Sequence, residues 1–327
     1  MTTYKDIHGT QVEVRADDPS NPVNGQIWYN TTDSKLRGHT LNPAGAWATG
    51  GAMNTARYEL TGAGTQTSAL AIGGTLDPPI SAQVESYNGT SWTEVGDLNE
   101  ARSTPAGAGA SNTAALAFGG YTGTARSVNT ETWDGSSWTE VNNLNTGRSN
   151  LAGDGTNTAA LAFGGYATAA VALTEVWNGT NWTELNDMNT ARYSLAGAGI
   201  YTSALTFGGN ATPRTVNTEL WNGTNWTEVN NLNAARDNVG GTGANNTSVL
   251  CIGGYTNTEV NLASTELWNG TNWTEVGDLA IGVRAAGSAG TTAAAISFAG
   301  VNPSAGKVAV SEEFSLPGPV TQEFDLS

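Results

Sequence analysis

One sequence unit recurs six times, about every 45 residues, and a period of that length restricts the chain to stacked or radially arranged supersecondary units. Each copy opens with small residues leading into an apolar run that ends in Gly-Gly. The runs are residues 69–74, 115–120, 160–165, 204–209 and 249–254, with a degraded sixth at 294–300. A polar loop follows, then Glu-x-aromatic at Glu85/Tyr87, Glu131/Trp133, Glu175/Trp177, Glu219/Trp221, Glu266/Trp268 and Glu312/Phe314. After a turn comes a second aromatic: Trp92, Trp138, Trp182, Trp226 or Trp273, with Trp47 standing alone ahead of the first copy. The linking arginines are Arg57, Arg102, Arg148, Arg192, Arg236 and Arg284.

Residues 148–189 serve as the reference copy. Residues 151–155 read as a short first strand, Asn157-Thr158 as a turn, and 159–163 as an apolar second strand ending in Gly164-Gly165. Residues 174–177 make a third strand. Asn178-Gly179 is a tight turn, because both residue types tolerate positive φ. The fourth strand begins at Trp182. Four short strands joined by tight turns make an antiparallel blade.

Glycine and alanine crowd the first two strands, whereas the tryptophans sit on the outer two. A radial array needs that gradient, since blades converge on an axis and widen away from it. The last copy lacks a Trp-Thr-Glu strand, and residues 47–49 supply one at the other end of the chain. The expected fold is therefore all-β: six four-stranded antiparallel blades, closed by the N-terminal strand 47–49 beside 309–315, which removes two open edges. The expected boundaries are 1–45 for an N-terminal extension, 46–316 for the repeats and 317–327 for a C-terminal tail.

Apolar strand, Gly-Gly, loop, Glu-x-aromatic and tryptophan together resemble the kelch repeat of kelch-type β-propellers, across residues 46–316. The sixth copy departs, with Ala299-Gly300 for Gly-Gly and Phe314 for tryptophan. The Asn178–Trp182 turn shows a poor likeness to the Asp-box of sialidase propellers. It lacks the leading serine and aspartate pattern, so no sialidase activity is carried over. Separately, residues 18–38 resemble a short module near the start of bacteriophage tail and other virion proteins, centred on Gln26, Ile27, Trp28 and Tyr29. That resemblance implies an attachment role, other virion proteins as partners, a homo-oligomer within the particle, and synthesis in the host cytoplasm. By its residues alone, 26–30 is a strand, 31–34 a turn and 35–38 a return strand. Such a hairpin is too small to bury a core alone and could simply pack on the propeller.

Charge narrows the partners. With 13 basic and 29 acidic residues the net charge is -16, which speaks against nucleic acid and anionic membranes. No apolar stretch reaches spanning length, and the first residues lack a cationic-then-apolar signal segment. Cys251, the single cysteine, falls in an apolar run and reads as a core filler, so no disulfide framework is expected.

Strand alternation places the loops after strands two and four on one face. The loops after strand two are longest and most varied, and recognition usually sits on such loops. Tyr121, Tyr166, Tyr255 and Asn210, immediately after Gly-Gly, are the candidate binding face. The six arginines could form an anion-binding ring. Their phase with Glu85, Glu131, Glu175, Glu219, Glu266 and Glu312 points instead to repeated structural ion pairs. The four Asn-Gly-Thr sequons coincide with turns that the repeat already explains.

Catalysis has little footing. His8 and His39 both lie outside the repeats, so no histidine triad, copper site or other metal centre is expected, and no cofactor. Most acidic residues follow the repeat, whereas a catalytic pair should break it. Asp154 and Asp237 do break it, and both are expected in turns or at strand ends. Two functions remain. One is a non-enzymatic virion structural protein, of tail, fibre or capsid surface, displaying a propeller for adhesion to a host saccharide or for particle stabilisation. The other is a glycan-binding or glycan-degrading propeller of the sialidase or kelch type.

Overall fold

The computed structural model describes residues 12–20, 26–40, 45–316 and 320–324. Two compact units emerge: Ala46–Ser315, and Met1–Gly45 together with Leu316–Ser327. All regular structure among the described residues is β.

The larger unit holds six four-stranded antiparallel sheets. The third runs Ala152–Thr156, Ala159–Phe163, Thr174–Trp177 and Trp182–Glu184. Its register places Ala162 opposite Glu175 and Trp177 opposite Trp182. The apolar second strands are almost wholly buried, which is why they read as continuous runs rather than alternations. The Asn178 turn works as its sequence suggests. Asn178 Oδ1 accepts the Thr180 and Asn181 N–H groups, each at 2.9 Å, and Gly179 adopts φ +91°. In the sixth sheet, Gly287–Gly290, Ala294–Phe298 and Ser311–Ser315 are joined by Ala46–Thr49, with Trp47 opposite Phe314.

The first strand of each sheet packs against the first strand of the next, and that of the sixth packs against that of the first. The second-aromatic tryptophans bond between sheets. Trp182, Trp226, Trp273 and Trp47 donate Nε1–H to Thr130, Thr174, Thr218 and Thr265, and Trp92 donates to Ser311, all within 2.9–3.1 Å. The equivalent position facing Trp138 is Val84, and the buried Trp138 Nε1–H has no partner. Val84→Thr should therefore supply the missing acceptor and raise stability by about 1 kcal/mol. Urea denaturation checks this, and a destabilised variant would mean the tryptophan cannot reach the new hydroxyl.

The smaller unit is a mixed sheet. Glu13–Arg15 pairs parallel with Ile27–Asn30, which pairs antiparallel with Lys35–Thr40. The residues expected as a C-terminal tail behave differently: Val320–Phe324 forms the fourth strand beside Lys35–Thr40. Asp18 organises the motif. Its Oδ1 accepts Trp28 Nε1–H and Asn30 Nδ2–H at 2.9 Å each, and it forms a close pair with Arg37. Those donors hold the Asp18 carboxyl down at about 2. Trp28 is 1% exposed, so of the attachment residues Gln26, Ile27, Trp28 and Tyr29 this one is committed to its own fold.

Candidate functional site

Each link between sheets is anchored by a buried position. Arg57, Arg102, Arg148, Arg192 and Arg236 are fully buried there and meet Glu85, Glu131, Glu175, Glu219 and Glu266 on the third strand of the following sheet. Arg192 Nη2 lies 3.1 Å from Glu219, and its Nη1 donates to Asn217 O at 2.6 Å and Gly208 O at 3.1 Å. Burial brings the Arg192 guanidinium down to about 10, against the opposing pull of Glu219. Each glutamate's other oxygen accepts from the link as well: Asn145 N and Nδ2 both reach Glu175 Oε2 at 2.8 Å.

The sixth pair, expected between Arg284 and Glu312, is not made. The link from Leu279 to Arg284 is one residue longer than that from Leu98 to Arg102. Val283 therefore takes the buried position. Its carbonyl accepts Gly254 N–H at 2.8 Å, as that of Arg102 accepts Gly74 N–H at 2.9 Å. Glu312 is held by the backbone N–H groups of Ala280, at 2.8 Å, and Ile281, and burial raises its carboxyl above the ordinary range. Arg284 is displaced one step, onto the loop face.

The two residues after each buried position build that face. The second of them is always left-handed: Glu59, Thr104, Asn150, Ser194, Asn238 and Ala285 have φ between 48° and 58°. The N–H of each donates to the carbonyl of the preceding member at 2.7–3.1 Å, and the run returns from Ala285 to Glu59. Every member is tied in this way, which offsets the cost of a non-glycine residue at positive φ. The first residues bridge to those just after Gly-Gly: Tyr58 to Thr75, Ser103 to Tyr121, Ser149 to Tyr166, Tyr193 to Asn210, Asp237 to Tyr255 and Arg284 to Val301. Tyr121, Tyr166, Tyr255 and Asn210 thus occupy equivalent places on one face.

Two aromatic centres stand out there. A cleft of about 460 Å³ is lined by Glu59, Thr104, Tyr121, Arg126, Tyr166 and Tyr193 among others. The Arg126 guanidinium lies 4.6 Å from the Tyr166 ring centre, and Tyr193 meets that ring edge-on at 5.2 Å. Across the face, Tyr255 carries two guanidiniums, Arg214 at 4.6 Å and Arg284 at 4.2 Å. Arg214 Nε lies 2.9 Å from Asp237 Oδ1. Glu59 accepts hydrogen bonds from Thr75, at 3.1 Å, and Ser103, yet burial outweighs both and raises its carboxyl. Of the Lys and Arg residues within 46–315, those outside the buried pairs are Arg126, Arg214, Arg284 and Lys307, and all four belong to this face.

Beneath the face runs a narrow channel between the six first strands, with cavities of about 130 and 100 Å³. Asp154 lines it from the middle of a strand, not from the turn or strand end its sequence suggested. Its position in the other sheets is held by Ala63, Ala108, Ala198, Thr242 and Ala289. Asp154 Oδ2 is enclosed and has no hydrogen-bond partner, and burial pushes the carboxyl up to about 8.

The chain superposes on the structure of YjhT with a TM-score of 0.69 at 12% identity, covering 83% of this chain and 99% of that one. The fold is that of a β-propeller. At that identity the likeness concerns the fold alone. No family model matches the sequence, and no curated protein does.

For the propeller's chemistry, the face offers hydroxyls, amides, tyrosine rings and guanidiniums. No group of three or more His, Cys, Asp or Glu able to hold a metal ion occurs among the described residues. Cys251 is fully buried, and burial raises its thiol. Sequence reasoning missed Glu59, Arg126, Tyr193, Arg214 and the surface position of Arg284. The available signals were partial: Glu59 differs from its counterparts, Arg126 and Arg214 share a position that other copies fill with Ile80, Ala170 and Asn261, and Arg284 follows one additional residue after Leu279.

Proposed function

We propose that the protein is a non-enzymatic recognition module, a closed six-bladed propeller whose loop face contacts a surface saccharide and whose smaller unit attaches it to a virion. Closure and blade number rest on three cyclic features: strand 46–49 completing the sixth sheet, the tryptophan–hydroxyl contacts between sheets, and the run of backbone bonds from Glu59 to Ala285 and back. A projection down the channel with other than six spokes would overturn them.

The Tyr166 cleft carries the saccharide reading. Its ring is held by Arg126 and Tyr193, so stacking on a sugar costs little further ordering. Weak contacts of this kind become useful when many copies bind together. The virion setting rests on the resemblance of residues 18–38, and a phage particle is the proposed location. On an array of cell-surface glycans, Tyr166→Ala should bind at least ten-fold more weakly than the unaltered chain at an unchanged melting temperature. Equal binding by both proteins, or none by either, removes the saccharide reading. Residues 46–315 alone should fail to enter particles that lack the native protein. Incorporation equal to that of the full chain removes the attachment role.

A further inference from the structure

The chain's one displaced arginine marks a second centre on the loop face, away from the Tyr166 cleft. Five linking arginines are buried and neutralised by glutamates, and one additional residue in the sixth link lifts Arg284 out of that register. It then lies over Tyr255, which also carries Arg214. Two guanidiniums on one ring repel each other, and the ring quadrupole offsets only part of that repulsion.

Their surroundings give the two guanidiniums unequal partners. Asp237 is 2% exposed and fully engaged: Oδ1 meets Arg214 Nε at 2.9 Å and accepts Asn238 Nδ2–H at 3.0 Å, while Oδ2 accepts from Asn210 at 3.4 Å. It neutralises one of the two cations. Arg284 has Asn261 Oδ1 at 3.4 Å from Nη1, a neutral and distant acceptor. Glu59 acts on Arg284 through its charge, but the two form no direct ion pair, and burial raises the Glu59 carboxyl. Arg284 thus makes no direct ion pair among the described residues and offers partly accessible planar donors, in a protein of net charge -16.

We propose that Arg284 binds the anionic group of an acidic saccharide, a carboxylate or sulfate ester, while Tyr255 fixes its guanidinium. The guanidinium fork pairs two parallel N–H donors with two oxygens of such a group, which an ammonium cannot do. This rests on the saccharide reading above and specifies the class of sugar.

The test titrates the full-length protein with glucose, glucuronate, glucose 6-sulfate and inorganic sulfate, followed by calorimetry and by the Arg Nε–H NMR signals. Both acidic sugars should bind at least five-fold more tightly than glucose, and raising the salt from 50 to 500 mM should erase most of that margin. Arg284→Gln should remove the margin and leave glucose binding and the melting temperature unchanged. Arg284 suits this purpose because Arg214→Gln would strand the buried Asp237. Arg284→Lys keeps the charge without the fork and should recover less than half of the margin. Acidic sugars binding no better than glucose, or Arg284→Gln keeping the margin, overturns the proposal and leaves the saccharide reading intact. Binding of inorganic sulfate that depends on Arg284, with no sugar binding anywhere, keeps the anion centre and removes the saccharide.

Discussion

Arg148→Ala should lower the stability of the propeller by about 3–5 kcal/mol, because it strands a buried carboxylate. Glu175 has a side chain 2% exposed, and the arginine facing it is fully enclosed. Removing the guanidinium also leaves a void, and water entering it recovers only part of the lost solvation. The pair need not be net stabilising for this to hold, since the cost lies in the partner left behind. Arg148→Met combined with Glu175→Gln should accordingly lose less than Arg148→Ala alone. Glutamine keeps an acceptor for Asn145 N and Nδ2, both of which now reach Glu175 Oε2. Denaturant titration of the three proteins decides it. A single variant as stable as the unaltered chain would show that the glutamate finds solvent without help.

The sixth sheet already carries a natural version of that substitution. Val283 fills the arginine position, and Glu312 sits opposite it on backbone donors alone among the contacts described. Burial raises its carboxyl, and the two backbone donors offset only part of that. Sheet six is also the one whose fourth strand, Ala46–Thr49, comes from the beginning of the larger unit.

Much of this architecture was legible because its causes are local and repeated. Gly-Gly, Asn-Gly and Glu-x-aromatic each impose one backbone event per copy, and six copies average out the ambiguity of any single one. The orphan Trp47 could be placed because the last copy lacked its counterpart. What escaped was whatever depended on a single residue. The sequence points Arg284 to a structural ion pair with Glu312 because a sequence repeat tolerates one additional residue, whereas a buried register does not. The left-handed positions were invisible because Glu59, Thr104, Asn150, Ser194, Asn238 and Ala285 share a conformation and no side-chain chemistry. The C-terminal strand was missed because its partner, Lys35–Thr40, is far away in sequence and belongs to no repeat.

Asp154 should make the protein less stable as pH rises from about 4 to about 8, opposite to the usual behaviour of a salt-bridged carboxylate. Its folded carboxyl is raised to about 8, whereas an unfolded aspartate titrates near ~3.9. Below the lower value both states hold the proton, so nothing is lost. Between the two values only the folded state holds it, and stability falls by about 1.4 kcal/mol per pH unit. Above about 8 both states are ionised and the loss is constant, a few kcal/mol in total. The cause is positional. Oδ2 is enclosed without a donor, in space that only a residue without a Cβ at Gly197 leaves open. Alanine is the residue that Ala63, Ala108, Ala198 and Ala289 place at this point, so Asp154→Ala should fit without rearrangement. Glu59 and Glu312 are also raised and add to the slope in both proteins, so the difference between the two isolates Asp154. Urea midpoints at pH 5, 6, 7 and 8 should diverge steadily, with Asp154→Ala the more stable at pH 8 by a few kcal/mol. Parallel curves would mean that channel water hydrates the carboxylate well enough to keep it ionised at neutral pH.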